Sequence, residues 1–280
     1  MLQELFYGLK NGKLVHISEV DRGLACNCIC PACKKPLIAR KGGERIHHFA
    51  HYNHADCGKS NETTAHMLAK KILENNKKMR LPKVEIVFNS HRENMPIFDR
   101  TVINFDDVKL EHRIDDIIPD VVIYVKDRPL LIEITVTNKT KKKKMDKIKR
   151  KGISCLEIDL SFIRKELSYE ELEEIIINMT YHKKWLYNQK ANYYKRLLLK
   201  LSERKPVIIK QARKVVTHCP TLTKIYNEKK HANVLTDCMH CLYCVHHDDQ
   251  FIYCTGKKEI ATFEDLRNHI NRIQRNLNRK

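Results

Sequence analysis

The stretch Ile117–Thr137, IIPDVVIYVKDRPLLIEITVT, sets two carboxylates, Asp120 and Glu133, inside runs of Val, Ile and Leu. Without them it reads as two strands joined by the polar turn Lys126-Asp127-Arg128-Pro129. An acid on such a strand is costly to bury unless it is paired or bound to a cation. Glu133 and Thr135 stand two apart and therefore share one strand face. Asp120 opens the partner strand after Pro119, and a short turn brings it next to Glu133. Two converging carboxylates repel each other unless a divalent cation lies between them, and oxygen ligands with open water positions suit Mg²⁺ or Mn²⁺. Such an ion polarises a phosphodiester and activates water. The competing reading is a hairpin with both acids in solvent; the dense apolar runs and the basic segment that follows weigh against it.

Outward from the hairpin, Glu62–Lys78 predicts a helix, with Ala65, Leu68, Ala69, Ile72 and Leu73 at helical spacing. Glu62 and His66 lie four apart on one face of it. Strand-like segments run near Val84–Phe88 and Thr101–Leu110. After the hairpin, NKTKKKKMDKIKR opens a basic helix over Lys139–Lys151, ended by Gly152, and ISCLEIDL returns as a strand. Met145 and Ile148 pack inward, leaving Lys141, Lys142, Lys143, Lys144 and Lys147 to track phosphates with sequence-tolerant, salt-sensitive contacts. Thr180–Glu203 reads as a mostly helical connector containing Trp185, the sole tryptophan.

The 280 residues carry a net charge of +19 and are 42% apolar, enough for a sizeable core and unsuited to wholesale disorder. That charge favours a polyanionic partner, with DNA or another nucleic acid first among them. No run is long enough to span a membrane, and the first 25 residues lack an apolar signal-peptide core, so a cytoplasmic protein without a membrane partner is expected. A transcription regulator is disfavoured, because neither cysteine cluster precedes a recognition helix.

Ten of the eleven cysteines fall into two groups, Cys26–Cys57 and Cys219–Cys254, with Cys155 alone between them. Short Cys-x-x-Cys spacings of this kind read as metal sites. In the first group Cys30, Cys33, His48 and His51 follow C-x2-C-x14-H-x2-H and suit a tetrahedral, structural zinc. Cys26, Cys28, His47, His54 and Cys57 lie close by. In the second group Cys219, Cys238, Cys241 and Cys254 suit a second zinc in a ribbon, with Cys244 as the alternative ligand; an iron–sulfur cluster is the rival, since it also takes four thiolates. The closing helix, Thr262–Arg279, is basic and adds phosphate contacts.

Pro119-Asp120, twelve residues, then Glu133-Ile134-Thr135 resembles the PD-(D/E)xK nuclease pattern. CICPACKKPLIARKGGERIHHFAH and ETTAHMLAK are similar to the competence protein CoiA-like family, in which a zinc module precedes that nuclease core. The resemblance implies an α+β fold with a restriction-endonuclease-like αβββαβ core: helix 62–78, strands near 101–111, 119–125 and 130–137, helix 139–151 and strand 153–159. The chain then divides into a zinc module (1–60), a nuclease-like domain (61–165), a helical connector (166–210) and a cysteine-rich metal module (211–280). It implies Asp120 and Glu133 as metal-binding catalytic residues, Glu111 as an additional acid, and a place for Glu62 and His66 beside the sheet. One departure stands out, since the motif's lysine is Thr135 here. Lys139, Lys143 or Lys147 would supply the charge from a displaced position. The function implied is Mg²⁺-dependent DNA cleavage in DNA uptake, recombination or defence. The alternative is a zinc-containing nucleic-acid-binding protein with a catalytically degenerate core.

Overall fold

A computed structural model describes residues 5–53, 57, 60–136, 142–162, 169–221, 225–226 and 229–278. Lys139, Lys141, His54 and Arg279 lie outside the described residues. The chain is a mixed α/β protein in two units, residues 1–82 with 100–187 and residues 83–99 with 188–280. No helix among the described residues is long and apolar enough to cross a membrane.

The first unit opens with a hairpin, β1 (Tyr7–Lys10) and β2 (Lys13–His16). Asn11 and Gly12 join them with φ of 51° and 76°, the left-handed pair that a two-residue hairpin turn requires. A second antiparallel pair, β3 (Leu37–Arg40) and β4 (His48–His51), follows. Leu5, Ile17, Leu37 and Phe49 close a small core around the buried thiols of Cys26 and Cys28. Those two thiols donate to Leu37 O and Cys26 O, both at 3.3 Å, and so serve the local core.

Helix α1 (Ser60–Asn76) buries Leu68, Ala69, Ile72 and Leu73, the stripe its periodicity predicts. It stops where Lys77 turns left-handed, at φ 50°, and returns its N–H to Leu73 O. Residues 101–111, read as one strand, are two. Thr101–Asn104 pairs with Lys78–Leu81, whereas β5 (Asp107–Leu110) joins the central sheet. The chain changes partner at Phe105-Asp106, where Phe105 N bonds Lys77 O and Asp106 N bonds Tyr124 O.

The hairpin of the opening stretch consists of β6 (Val121–Val125) and β7 (Arg128–Thr135), paired from Val121↔Ile132 to Val125↔Arg128. Its turn is only Lys126-Asp127, with φ of 48° and 62°, so Arg128 and Pro129 belong to the strand. Helix α2 (Lys142–Lys151) leads to β8 (Cys155–Asp159), which runs parallel to β7. Helix α3 (Tyr169–Ile177) then precedes β9 (Lys183–Tyr187). The last of these, read within a helical connector, instead forms the sheet edge beyond β8 through Lys183 to Tyr187. The sheet order is β9-β8-β7-β6-β5.

Strand β7 is buried from Leu130 to Thr135 because both faces are covered. Leu130, Ile132 and Ile134 point to the core shared with α1 and α3. Leu131 belongs to the opposite core, with Ile148 of α2, Val122 and Cys155. Glu133 and Thr135 follow Leu131 in parity, which aims them toward α2.

In the second unit, α4 (Gln189–Leu201) begins at Asn188, whose Oδ1 accepts from Ala191 N at 3.1 Å. A three-stranded sheet has β10 (Glu203–Pro206) at one edge, β12 (Phe251–Cys254) at the centre and β11 (Cys244–His247) at the other edge. Helix α5 (Phe263–Leu277) closes the unit behind a reciprocal Thr262/Asp265 capping box.

Candidate functional site

Two constellations in the first unit carry chemistry. The first is a metal-ligand group. Cys30, Cys33, His51 and Cys57 each offer a ligand atom, and these atoms all lie within 4.8 Å of one another. Cys33 Sγ is 3.3 Å from His51 Nε2, and Cys30 Sγ is 4.0 Å from Cys57 Sγ. Tetrahedral zinc with bonds of 2.0–2.3 Å sets ligand atoms roughly 3.3–3.8 Å apart, so the group is shaped to hold zinc and leaves no position open. His48, expected in this set, is replaced by Cys57. His48 and His51 are three apart on β4, so a strand sends them to opposite faces, and His48 Nδ1 instead meets Ile46 O at 2.9 Å. His47 likewise turns to Gly42 O at 3.2 Å.

The second constellation sits at the Asp120 end of the β6–β7 hairpin. Glu133 is 4% exposed at the centre of the sheet. Its Oε2 accepts from Lys144 Nζ at 2.6 Å, while Oε1 is buried with no hydrogen-bond partner. Burial pushes the Glu133 carboxyl up to about 7; the Asp120 charge adds to the rise, and the Lys144 ammonium opposes it. Asp120 Oδ2 accepts the Ile134 N–H at 2.7 Å, which pins this carboxylate against β7. From α1, His66 Nε2 donates to Ile134 O at 3.3 Å and stands 3.6 Å from Asp120 Oδ2. Thr135, also buried, donates its hydroxyl to Glu157 Oε1 at 2.9 Å. Glu157 lies on β8 in parallel register with Glu133, and sequence reading had not singled it out.

Of the other predicted residues, Glu111 follows β5, and its N–H donates to Asp120 O at 3.0 Å. Its own φ is 47° and its side chain is exposed. Glu62 is half-buried in the first turn of α1. Of the lysines expected to supply the charge that Thr135 lacks, Lys143 is exposed, Lys147 pairs with Asp116 at 3.2 Å, and Lys139 lies outside the described residues. Lys144, expected only to track phosphates, is the one that meets Glu133. Helical spacing explains it: positions 144, 147, 148 and 151 form one stripe on α2. Ile148 on that stripe is fully buried. Lys151 on the same stripe binds Asp115 at 2.7 Å and Asp116 at 3.3 Å. Lys142, Lys143, Lys149 and Arg150 face solvent.

In the second unit, Cys219, Cys238, Cys241, Cys244 and Cys254 line one cavity of about 260 Å³. Among the described residues, only the N-terminal Cys/His group gathers three or more ligand atoms within 4.8 Å of one another.

No curated protein and no solved structure matches the chain. The family model described as competence protein CoiA, N-terminal domain, matches residues 15–60, a span that contains all four ligands of the Cys/His group. Residues 15–60 are therefore similar to the N-terminal domain of competence protein CoiA, in line with the resemblance carried by CICPACKKPLIARKGGERIHHFAH.

Proposed function

We propose that the first unit is a metal-dependent nuclease-like module that hydrolyses DNA phosphodiesters, with Asp120 and Glu133 as its cation ligands and Lys144 as its charged partner. One observation carries this reading: a buried carboxylate oxygen, Glu133 Oε1, has no partner although an acid and a lysine flank it. Native structures rarely leave such a group unsatisfied, and an oxygen-lined site beside a second carboxylate matches a hard divalent cation. Mg²⁺ or Mn²⁺ held there would supply Lewis acidity toward a phosphodiester.

The chain's own residues supply the rest. The Ile134 N–H fixes the Asp120 carboxylate against β7. Lys144 brings to Glu133 the positive charge that Thr135 lacks, from the helix rather than the strand. His66 Nε2 donates to Ile134 O and so holds α1 against the sheet beside Asp120. The helix order α1, three antiparallel strands, α2 and a parallel strand agrees with the resemblance drawn above. The zinc group stands apart from this chemistry as a structural element.

Single-turnover cleavage of labelled DNA with Mg²⁺ or Mn²⁺, compared between the wild type and Asp120→Ala, tests the reading. Cleavage by the wild type alone supports it. A wild-type protein that binds Mn²⁺ and DNA but cuts neither single nor double strands would establish the degenerate, binding-only alternative. The Thr135 hydroxyl, committed to Glu157, is the observation that favours that alternative.

A further inference from the structure

The five-cysteine cavity of the second unit differs in construction from the zinc group of the first. A lone zinc draws its four ligands to within about 4 Å of one another, as Cys30, Cys33, His51 and Cys57 already are. The five C-terminal thiols form no such knot; they stand around a space of about 260 Å³, many times what one ion displaces. Val216, Ala232 and Ile252 give that space apolar walls. Three of the thiols, Cys238, Cys241 and Cys244, follow at two-residue intervals, from a short 3-10 turn into the first residue of β11. Cys254 is the cross-strand partner of Cys244. Its Sγ accepts the Gly256 N–H at 3.3 Å, the kind of bond that stabilises a metal-bound thiolate.

Two buried cations stand close to these sulfurs. Lys205 lines the cavity, and its ammonium donates to His218 O at 3.1 Å and pairs with Glu203 at 3.0 Å. Arg92 is 6% exposed, stacks on Phe88 at 3.9 Å and donates to Cys244 O at 3.4 Å and Ala261 O at 3.1 Å. Its Nε is buried without a partner. Lys205 has such a partner in Glu203, whereas Arg92, held by carbonyls and an aromatic ring, calls for compensating negative charge that thiolates around a metal centre would supply.

We infer that the C-terminal cavity holds an iron–sulfur cluster of the four-iron class, ligated by Cys238, Cys241, Cys244 and Cys254, with Cys219 as a free thiol on its wall. Thiolates around such a cluster stand farther apart than around one ion, because the cluster's own iron and sulfide fill the space between them. The spacing alone favoured a zinc ribbon; the open arrangement of the sulfurs reverses that preference. The inference does not depend on the nuclease reading, since its readouts are metal and sulfide.

The test uses the full chain, expressed with added iron and purified without oxygen. The expected result is a brown protein with visible absorption that bleaches on reduction, about four irons and four sulfides per chain, and about one zinc from the N-terminal group. Serine at Cys238, Cys241, Cys244 or Cys254 should each cut bound iron at least roughly five-fold, whereas Cys219→Ser should keep it. Retention of the single zinc and of the far-ultraviolet dichroism shows that a variant has folded. Two zincs without sulfide, or a folded chain with neither metal in the second unit, overturns the inference. Iron lost from Cys219→Ser but kept in Cys254→Ser overturns the assignment of the fourth ligand.

Discussion

The Cys/His group at the N-terminus and the carboxylate site beneath α2 lie in one unit, yet they are built on opposite plans. The first has soft ligands, sulfur and imidazole, already gathered and with nothing left over. The second has hard oxygens, one of them without a partner, and a lysine standing against the other. On the function proposed above, the difference is one between a metal that would hold the chain together and a metal that would come and go with chemistry. Thiolate affinity for zinc is large enough to count as folding free energy. Oxygen sites with few protein ligands keep waters and exchange.

The harshest way to break the comparison is Cys57→Ser. It should cost the zinc and several kcal/mol of stability, unfolding the small core around Phe49, while Mn²⁺ binding at Asp120 and Glu133 survives in whatever fraction remains folded. Elemental analysis with limited proteolysis reads both; a variant that keeps zinc and protease resistance would show that Cys57 is not a ligand.

Next comes Lys144→Met, which keeps the stem and removes the charge. Cleavage should fall about 100-fold with zinc content unchanged, and Lys143→Met should lose little. Equal losses in the two variants would reduce Lys144 to one phosphate contact among several.

Glu133→Gln has a smaller effect and opposite sign. The carboxyl is raised to about 7 in the folded chain, so the stability tied to its protonation is present at acid pH and is lost as pH rises through 7. In EDTA at pH 8 the glutamine variant should therefore be more stable than wild type by roughly 1–3 kcal/mol, and the gain should shrink toward pH 5. Thermal unfolding at the two pH values decides it; a variant that is less stable at pH 8 would mean that the loss of the Lys144 pair outweighs the relief of buried charge.

The smallest effect is expected from His48→Ala. With His51 and Cys57 holding the fourth and third positions, zinc stoichiometry should not change. Loss of the zinc would restore His48 to the ligand set.

Much of the first unit was legible because its signals are local. The apolar stripe of α1, the hairpin from Val121 to Thr135 and the return strand at Cys155 all depend on periodicity, which sequence displays directly. The limits are equally physical. The extent of the turn at Lys126 depended on which residues take positive φ, so Arg128 and Pro129 were misplaced by two positions. His48 looked as good as His51 until β4 imposed its alternation. Lys144 could not be told from its neighbours within a run of lysines, because only the helix phase, anchored by buried Ile148, turns it inward. Glu157 becomes visible only when β8 lies in register beside β7, a pairing between distant residues that no local pattern records. Residues 183–187 failed for the same reason: an edge strand is defined by its neighbour.

For the DNA partner proposed above, the stripe on α2 would have a thermodynamic consequence. Lys144, Lys147 and Lys151 already have carboxylate partners, so they displace no counterions from a duplex. The exposed Lys142, Lys143, Lys149 and Arg150 would displace them. The helix should therefore contribute about four units to the dependence of log affinity on log salt, and not the seven that its cations suggest. Charge counted along a chain overstates charge that a polyanion can use.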